Sequence, residues 1–261
     1  MTLSPPNDAS SLLILSQSDL HGLHCTPREI LGVVANAFTG LRNQASANPV
    51  KTIVQPADKR SIAYSMTGRD GHTKTVGFKL AYEFDPERQH DQYQNHSLMF
   101  LCDDATGKPL AVMDVIAIDA LRTAATTALL AKAAAHEQTR SALLVGTGLI
   151  GQRVLPLLTA AVPQLERLMV YGTHEAGAQR VKQDLERQSP ERTVEIVRDL
   201  QDAARAADIV IGATGAGAVH AVHHAWLRPG VVSVLLGYGI HADALHNADY
   251  RIATDETQMH V

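Results

Sequence analysis

The chain has 261 residues, 45% hydrophobic but only 4% aromatic, with a net charge of −4 and a pI near 6.3. That length suggests two domains or one large one, and the composition a core of Ala, Val, Leu and Ile. The mild acidity offers no footprint for a nucleic acid or other polyanion.

No apolar run approaches the ~18 residues of a membrane span. The N-terminus, MTLSPPNDAS, lacks the charged and apolar regions of a signal peptide. Cys25 and Cys102 form no close-spaced pair, which suits a reduced, cytoplasmic protein.

In chain order, SLLIL reads as a strand, followed by Ser16 or Ser18 as a helix cap. Residues 26–41, TPREILGVVANAFTGL, have helical spacing. KTIVQP (51–56), SIAYSMT (61–67) and TVGFKLAYEF (75–84) read as strands, and 96–115 as a hairpin turning at DDATGK. Consecutive hairpins imply a mainly antiparallel sheet. An Ala-rich helix follows over 118–138.

Two cations stand out. Lys79 alternates with Phe78 and Leu80, so it points to the opposite face of its strand. Arg122 is expected in the first turn of the Ala-rich helix, where the dipole disfavours a cation unless an anion is shared. A substrate carboxylate is the natural anion. Taken alone, each residue reads as a solvated surface cation. Asp114 is read as capping or turning the chain before this helix. Asp103 and Asp104 read as hairpin-turn residues.

From residue 141 the pattern changes. Strand-like SALLVG (141–146), RLMVYG (167–172), TVEIVR (193–198), ADIVIGAT (207–214), GVVSVLLG (230–237) and YRIAT (250–254) are separated by helical stretches at 149–162, 174–188 and 200–206. Apolar strands alternating with helices imply a parallel sheet covered on both faces.

Gly146, Gly148 and Gly151 fit G-x-G-x-x-G between the first of these strands and its helix. Gly146 makes the turn, Gly148 admits a pyrophosphate, and Gly151 lets helix and strand pack. The free N–H groups at the helix start, around Thr147, Leu149 and Ile150, would hold the phosphates. The expected cofactor is a nicotinamide dinucleotide.

An NAD site usually ends its second strand with an acid. Here that place is Gly172, followed by Thr173 and His174, so the reading favours NADP, with Arg180 as a further phosphate contact. Glu175 keeps NAD open. Ala213, Thr214 and Gly215, in GATGAGA, would border the nicotinamide ribose. His220, His223 and His224 lack cysteine or carboxylate partners at ligand spacing, and no metal is expected there.

The segments GKPLAVMDVIAIDALRTAATTALLAKAAA, LLVGTGLIGQ, AADIVIGATGAG and LRPGVVSVLLG resemble the ornithine cyclodeaminase/mu-crystallin family, from about residue 12 onward. The resemblance implies an α/β protein with an N-terminal α+β substrate-binding and dimerisation domain (1–120), a connecting helix (121–140) and a Rossmann-type doubly wound domain (141–261). It implies a homodimer. It also implies that Lys79 and Arg122 hold a substrate carboxylate, with Lys51 in place of a third family arginine. Lysine pairs with a carboxylate but not as a bidentate fork.

Three departures follow from the same comparison. The aspartate of ornithine cyclodeaminases falls at about Gly239, and Asp243 aligns poorly with it. The Glu-Leu pair beyond it appears as Ala244-Leu245. The family chain also continues past RIATDE to complete its first domain, so this sequence reads as a C-terminally short member. The expected activity is therefore NAD(P)H-dependent reduction of the C=N bond of a small imino acid, or the reverse amino-acid dehydrogenation. Lys79 and Arg122 are the expected catalytic residues. Ornithine cyclodeamination and a non-catalytic, crystallin-like binding role are the alternatives.

Overall fold

The computed structural model describes residues 11–21, 24–84, 94–215 and 218–254. The chain divides into two compact units, Met1–Arg122 and Thr123–Val261.

The first unit contains β1 (Leu13–Leu15), α1 (Gln17–His21), α2 (Pro27–Arg42), β2 (Thr52–Val54), β3 (Ser61–Asp70), β4 (Thr75–Phe84), β5 (Gln94–Asp103) and β6 (Pro109–Asp114). Thr26 and Glu29 start α2 through a reciprocal capping box: the Thr26 hydroxyl accepts from the Glu29 N–H, and the Glu29 carboxylate accepts from the Thr26 N–H at 2.7 Å. The strands form one sheet in the order β1-β6-β5-β4-β3-β2, with only β1 and β6 parallel.

Alternation gives this sheet two unlike faces. Lys79, Ala81, Ser97 and Ala111 are buried on one. On the other, Ile14, Phe78, Leu80, Tyr82 and Leu98 are exposed, at 79% for Ile14 and 60% for Leu80.

Helix α3 (Ile116–Ala134) begins in the first unit and runs into the second. It starts two residues before the expected 118 because the Asp114 carboxylate accepts from the Ile116 N–H at 3.0 Å. It stops short of 138 because the Thr139 hydroxyl accepts from the His136 N–H at 3.1 Å and turns the chain.

The second unit contains β7 (Ser141–Val145), α4 (Gly151–Ala161), β8 (Arg167–Tyr171), α5 (Glu175–Gln188), β9 (Val194–Ile196), α6 (Leu200–Ala206), β10 (Ile209–Gly212), β11 (Val232–Leu235) and α7 (Ala242–His246). Its sheet is all parallel, in the order β11-β10-β7-β8-β9. Every residue of β7 and β10 is buried, as central strands covered on both faces require. The Asp208 carboxylate aligns these two strands by accepting from the Arg140 N–H (2.9 Å), the Ser141 N–H (2.8 Å) and the Ser141 hydroxyl (2.8 Å). Leu143, Val145, Met169 and Val210 pack with Leu200, Ala203 and Ala204 of α6.

The chain winds outward from β7 to β9, then returns to β10 on the other side of β7. That reversal is the switch point where open α/β sheets bind ligands. The expected strand at 250–254 is not formed. These residues have no regular structure, and Tyr250 and Ile252 are 90% and 65% exposed, so among the described residues β11 is the edge strand of the sheet.

Candidate active site

At the switch point, Gly146 has φ +114°, a left-handed conformation that favours glycine. A Cβ there would also lie 2.5 Å from the Ala213 carbonyl oxygen, so the ends of β7 and β10 meet because residue 146 lacks a side chain. A Cβ on Gly151 would lie 2.3 Å from the Gly146 carbonyl oxygen. At Gly148, by contrast, nothing lies within 4 Å. The open space falls at the one glycine that a phosphate has to approach.

Helix α4 starts at Gly151 rather than Leu149, and no side chain caps it. Among the described α-helices it alone has no acidic residue in its first turn; α2, α5 and α6, for example, carry Glu29, Glu175 and Asp202 there. Its dipole and terminal N–H groups are left for an anion. The residues therefore fit the diphosphate of a dinucleotide.

Gly172 has a reason that the sequence did not reveal. A Cβ there would lie 2.7 Å from Thr147 Cγ2, and one on Gly177 2.3 Å from Thr147 Oγ1. Both glycines make room for the Thr147 side chain. A cavity of about 610 Å³ lies alongside, lined by Tyr171, Gly172, Thr173, Glu175, Ile196, Arg198 and His220, among others. Arg198, at the end of β9, is the cation in this lining, and the expected Arg180 is not part of it. The signal for Arg198 was available: parallel strands end on one edge of a sheet, so the residues after β8 and β9 are neighbours.

Thr214 pairs with Tyr238 across an isolated bridge, and its hydroxyl is buried without a hydrogen-bond partner among the described residues. Gly239 faces it with φ +102°, and a Cβ there would press on Thr214 Cγ2 and Oγ1 at 3.2 Å. Both the backbone and the space disfavour an aspartate at 239. Asp243 does not replace it, being bound to His223, His224 and His241.

In the first unit, the structure joins Lys79 and Arg122 through a residue the sequence reading missed. Asp119 accepts from the Lys79 ammonium on one oxygen and from Arg122 Nε (2.6 Å) and Nη2 (2.5 Å) on the other. Burial pushes the Asp119 carboxyl up, but the Arg122 charge, the Lys79 hydrogen bond and the Lys79 charge outweigh it, and the net direction is down. Lys79 is 9% exposed, so it is no solvated surface cation.

Arg122 lies in the second turn of α3, not the first, because the helix starts at Ile116. The dipole argument for an anion beside it falls away, and Asp119 supplies the local counter-charge. Three-residue spacing in IDALR places the pair on one helix face. The Lys51 ammonium lies 4.7 Å from the centre of the Tyr64 ring. Tyr64 sits two residues before Met66, the partner of Lys79, so Lys51 leans over the Lys79 face.

A mainly antiparallel sheet bearing clustered cations, followed by a parallel sheet with a dinucleotide-type turn, defines a nucleotide-dependent α/β protein. The model of the ornithine cyclodeaminase/mu-crystallin family matches residues 12–258, and the chain belongs to that family. It is 26% identical over 255 residues to N-((2S)-2-amino-2-carboxyethyl)-L-glutamate dehydrogenase of Staphylococcus aureus, covering 95% of this chain and 76% of that protein. It is 20% identical over 249 residues to a Delta(1)-pyrroline-2-carboxylate reductase of Bacillus cereus, covering 95% and 72%. A solved structure of Thermococcus litoralis Delta(1)-pyrroline-2-carboxylate reductase, in complex with NADH and L-proline, superposes with a TM-score of 0.76 at 24% identity, covering 91% of this chain and 74% of that one.

Proposed function

We propose that the protein is a nicotinamide-dependent reductase of a C=N bond adjacent to a carboxylate. Two of its similar proteins are named as reductases of a cyclic imino acid and one as an amino-acid dehydrogenase. The observation that favours reduction over cyclodeamination is the backbone at Gly239, which disfavours the aspartate that ring closure needs.

The two units divide the task. The first holds the substrate: Lys79 and Arg122, brought together by Asp119, are the cations that meet its carboxylate. Lys51 adds a further cation on the same sheet face. Arg122 orients the carboxylate as a fork. Lys79 presents an ammonium that stabilises the developing amine and delivers its proton, while Asp119 fixes its direction. Orientation of this kind supplies about 7–11 kcal/mol of a barrier.

The second unit holds the dinucleotide at Gly146, Thr147, Gly148, Leu149, Ile150 and Gly151, with Ala213, Thr214 and Gly215 at the neighbouring strand end. The bound nicotinamide supplies the hydride. NADP is favoured over NAD because Arg198, Thr173 and His220 line the cavity at the end of β8. A dissociation constant for NADP below that for NAD, with the difference lost in Arg198→Ala, is the expected result.

A homodimer built on the first unit's sheet accounts for the exposed Ile14, Phe78, Leu80, Tyr82 and Leu98, an apolar face that favours burial. A cytoplasmic location suits Cys25 and Cys102, both unbridged. No described helix is long and apolar enough to cross a membrane. The activity is tested by following NADPH and NADH oxidation with cyclic imino acids, and with 2-keto acids plus amines.

A further inference from the structure

We propose that His223, His241 and Asp243 form a site for a divalent transition-metal ion, with Zn²⁺ the best match. The site lies in the second unit and uses none of the residues assigned above to substrate or dinucleotide. His223 Nδ1 is 3.2 Å from one Asp243 carboxylate oxygen, and His241 Nδ1 is 3.1 Å from the other. All three groups have ligand atoms within 4.8 Å of one another.

Zinc bound at about 2.0–2.1 Å in a tetrahedron places its donors roughly 3.3 Å apart. The two imidazole–carboxylate spacings already match that. His241, half exposed, closes the remaining gap by a small side-chain rotation. Two imidazoles and a carboxylate suit zinc and leave a fourth position for water.

The backbone is built to hold these groups together. Val222 and Ile240 form a parallel bridge, with the Val222 N–H donating to the Gly239 carbonyl and the His241 N–H to the Val222 carbonyl, both at 2.9 Å. Both residues are buried, so the next positions, 223 and 241, leave a rigid platform side by side. Asp243 follows in the first turn of α7.

The surroundings orient the ligands as outer groups do in metal sites. The His224 N–H donates to Asp243 Oδ1 at 3.1 Å, fixing the carboxylate. Trp226 packs edge-on against the His223 ring at 5.1 Å. The two imidazoles lie 4.4 Å apart. The sequence hides the site because His241 and Asp243 lie far from VHAVHH along the chain. An ion here would brace the segments that follow β10 and β11.

The test is calorimetric titration of ZnCl₂, with MgCl₂ as the hard-ion control, into the full chain after chelator treatment, alongside thermal melts. One zinc per chain is expected, with micromolar or tighter affinity, a higher melting temperature and no response to magnesium. The variant His223→Gln/His241→Gln should show no zinc-induced rise in melting temperature and should bind zinc at least about tenfold more weakly. Unchanged zinc affinity in that variant, or no zinc binding by the natural chain, overturns the proposal. Should the double variant not fold, cobalt spectroscopy decides. Visible d–d bands in the natural chain that disappear in Asp243→Asn support the site, and bands that persist refute it.

Discussion

Lys79, in the middle of β4, is ion-paired with Asp119, forty residues on in the chain. The pair is largely buried on the lysine side and joins the sheet of the first unit to the start of α3. Removing the carboxylate leaves a buried ammonium without its partner, a loss of about 3 kcal/mol. Asp119→Ala should therefore lower the melting temperature, whereas Arg122→Lys, at a residue whose side chain is 55% exposed, should not. Comparing the two melts separates the structural half of the triad from the recognition half.

Gly172→Ala should destabilise the second unit by about 1–3 kcal/mol, because the new methyl group meets the Thr147 side chain. Thr147→Ala removes both offending atoms, so the double variant should recover most of the loss. A double-mutant cycle by chemical denaturation measures this coupling, and additivity would show that the packing explanation for Gly172 is wrong.

The central glycine of the turn behaves in the opposite way. Nothing lies within 4 Å of a Cβ on Gly148, so Gly148→Val should leave the melting temperature of the free protein nearly unchanged. It should abolish dinucleotide binding by filling the space the diphosphate occupies. Fluorescence titration with the four nicotinamide dinucleotides reads the second effect.

Acid should destabilise the fold over a defined range. The Asp243 carboxyl is held down at about 2: burial opposes this, but the hydrogen bonds from the His224 N–H, His223 and His241 prevail. Asp208 is also held down, burial again being outweighed by its bonds to Arg140 and Ser141 and by the Arg228 charge. A folded pKa below the unfolded value of about 3.9 gives stability that is present above pH ~4 and lost as the pH falls toward 2. Melting temperatures between pH 6 and about 2.5 should fall in that window, and Asp208→Asn should flatten the decline.

Much of this was legible in the sequence for a physical reason. Local signals survive folding: the helical spacing over 26–41, the alternation along β4 and the glycine spacing at 146, 148 and 151 depend on neighbours within a few residues. The hidden features depend on distant neighbours. Gly172 is explained by Thr147 across two strand ends, Arg198 by the parallel order of β8 and β9, and the partner of Lys79 by a helix forty residues away. The expected strand at 250–254 had the right residues but has no strand paired with it in the structure. Arg122 was placed in the wrong turn because Asp114 starts α3 earlier than the Ala-rich run suggests.

Reduction of a cyclic imino acid by the natural chain, compared with Arg122→Lys and Lys79→Met, tests the central claim most directly. The natural chain should oxidise NADPH or NADH with such a substrate. Arg122→Lys should mainly raise KM, the lost charge-assisted contact being worth about 1.5–3 kcal/mol, or roughly ten- to a hundredfold. Lys79→Met should lower kcat more than it raises KM, with dinucleotide affinity unchanged in both. Wild-type kinetics in both variants, or dinucleotide binding without turnover of any imine by the natural chain, would contradict the assignment.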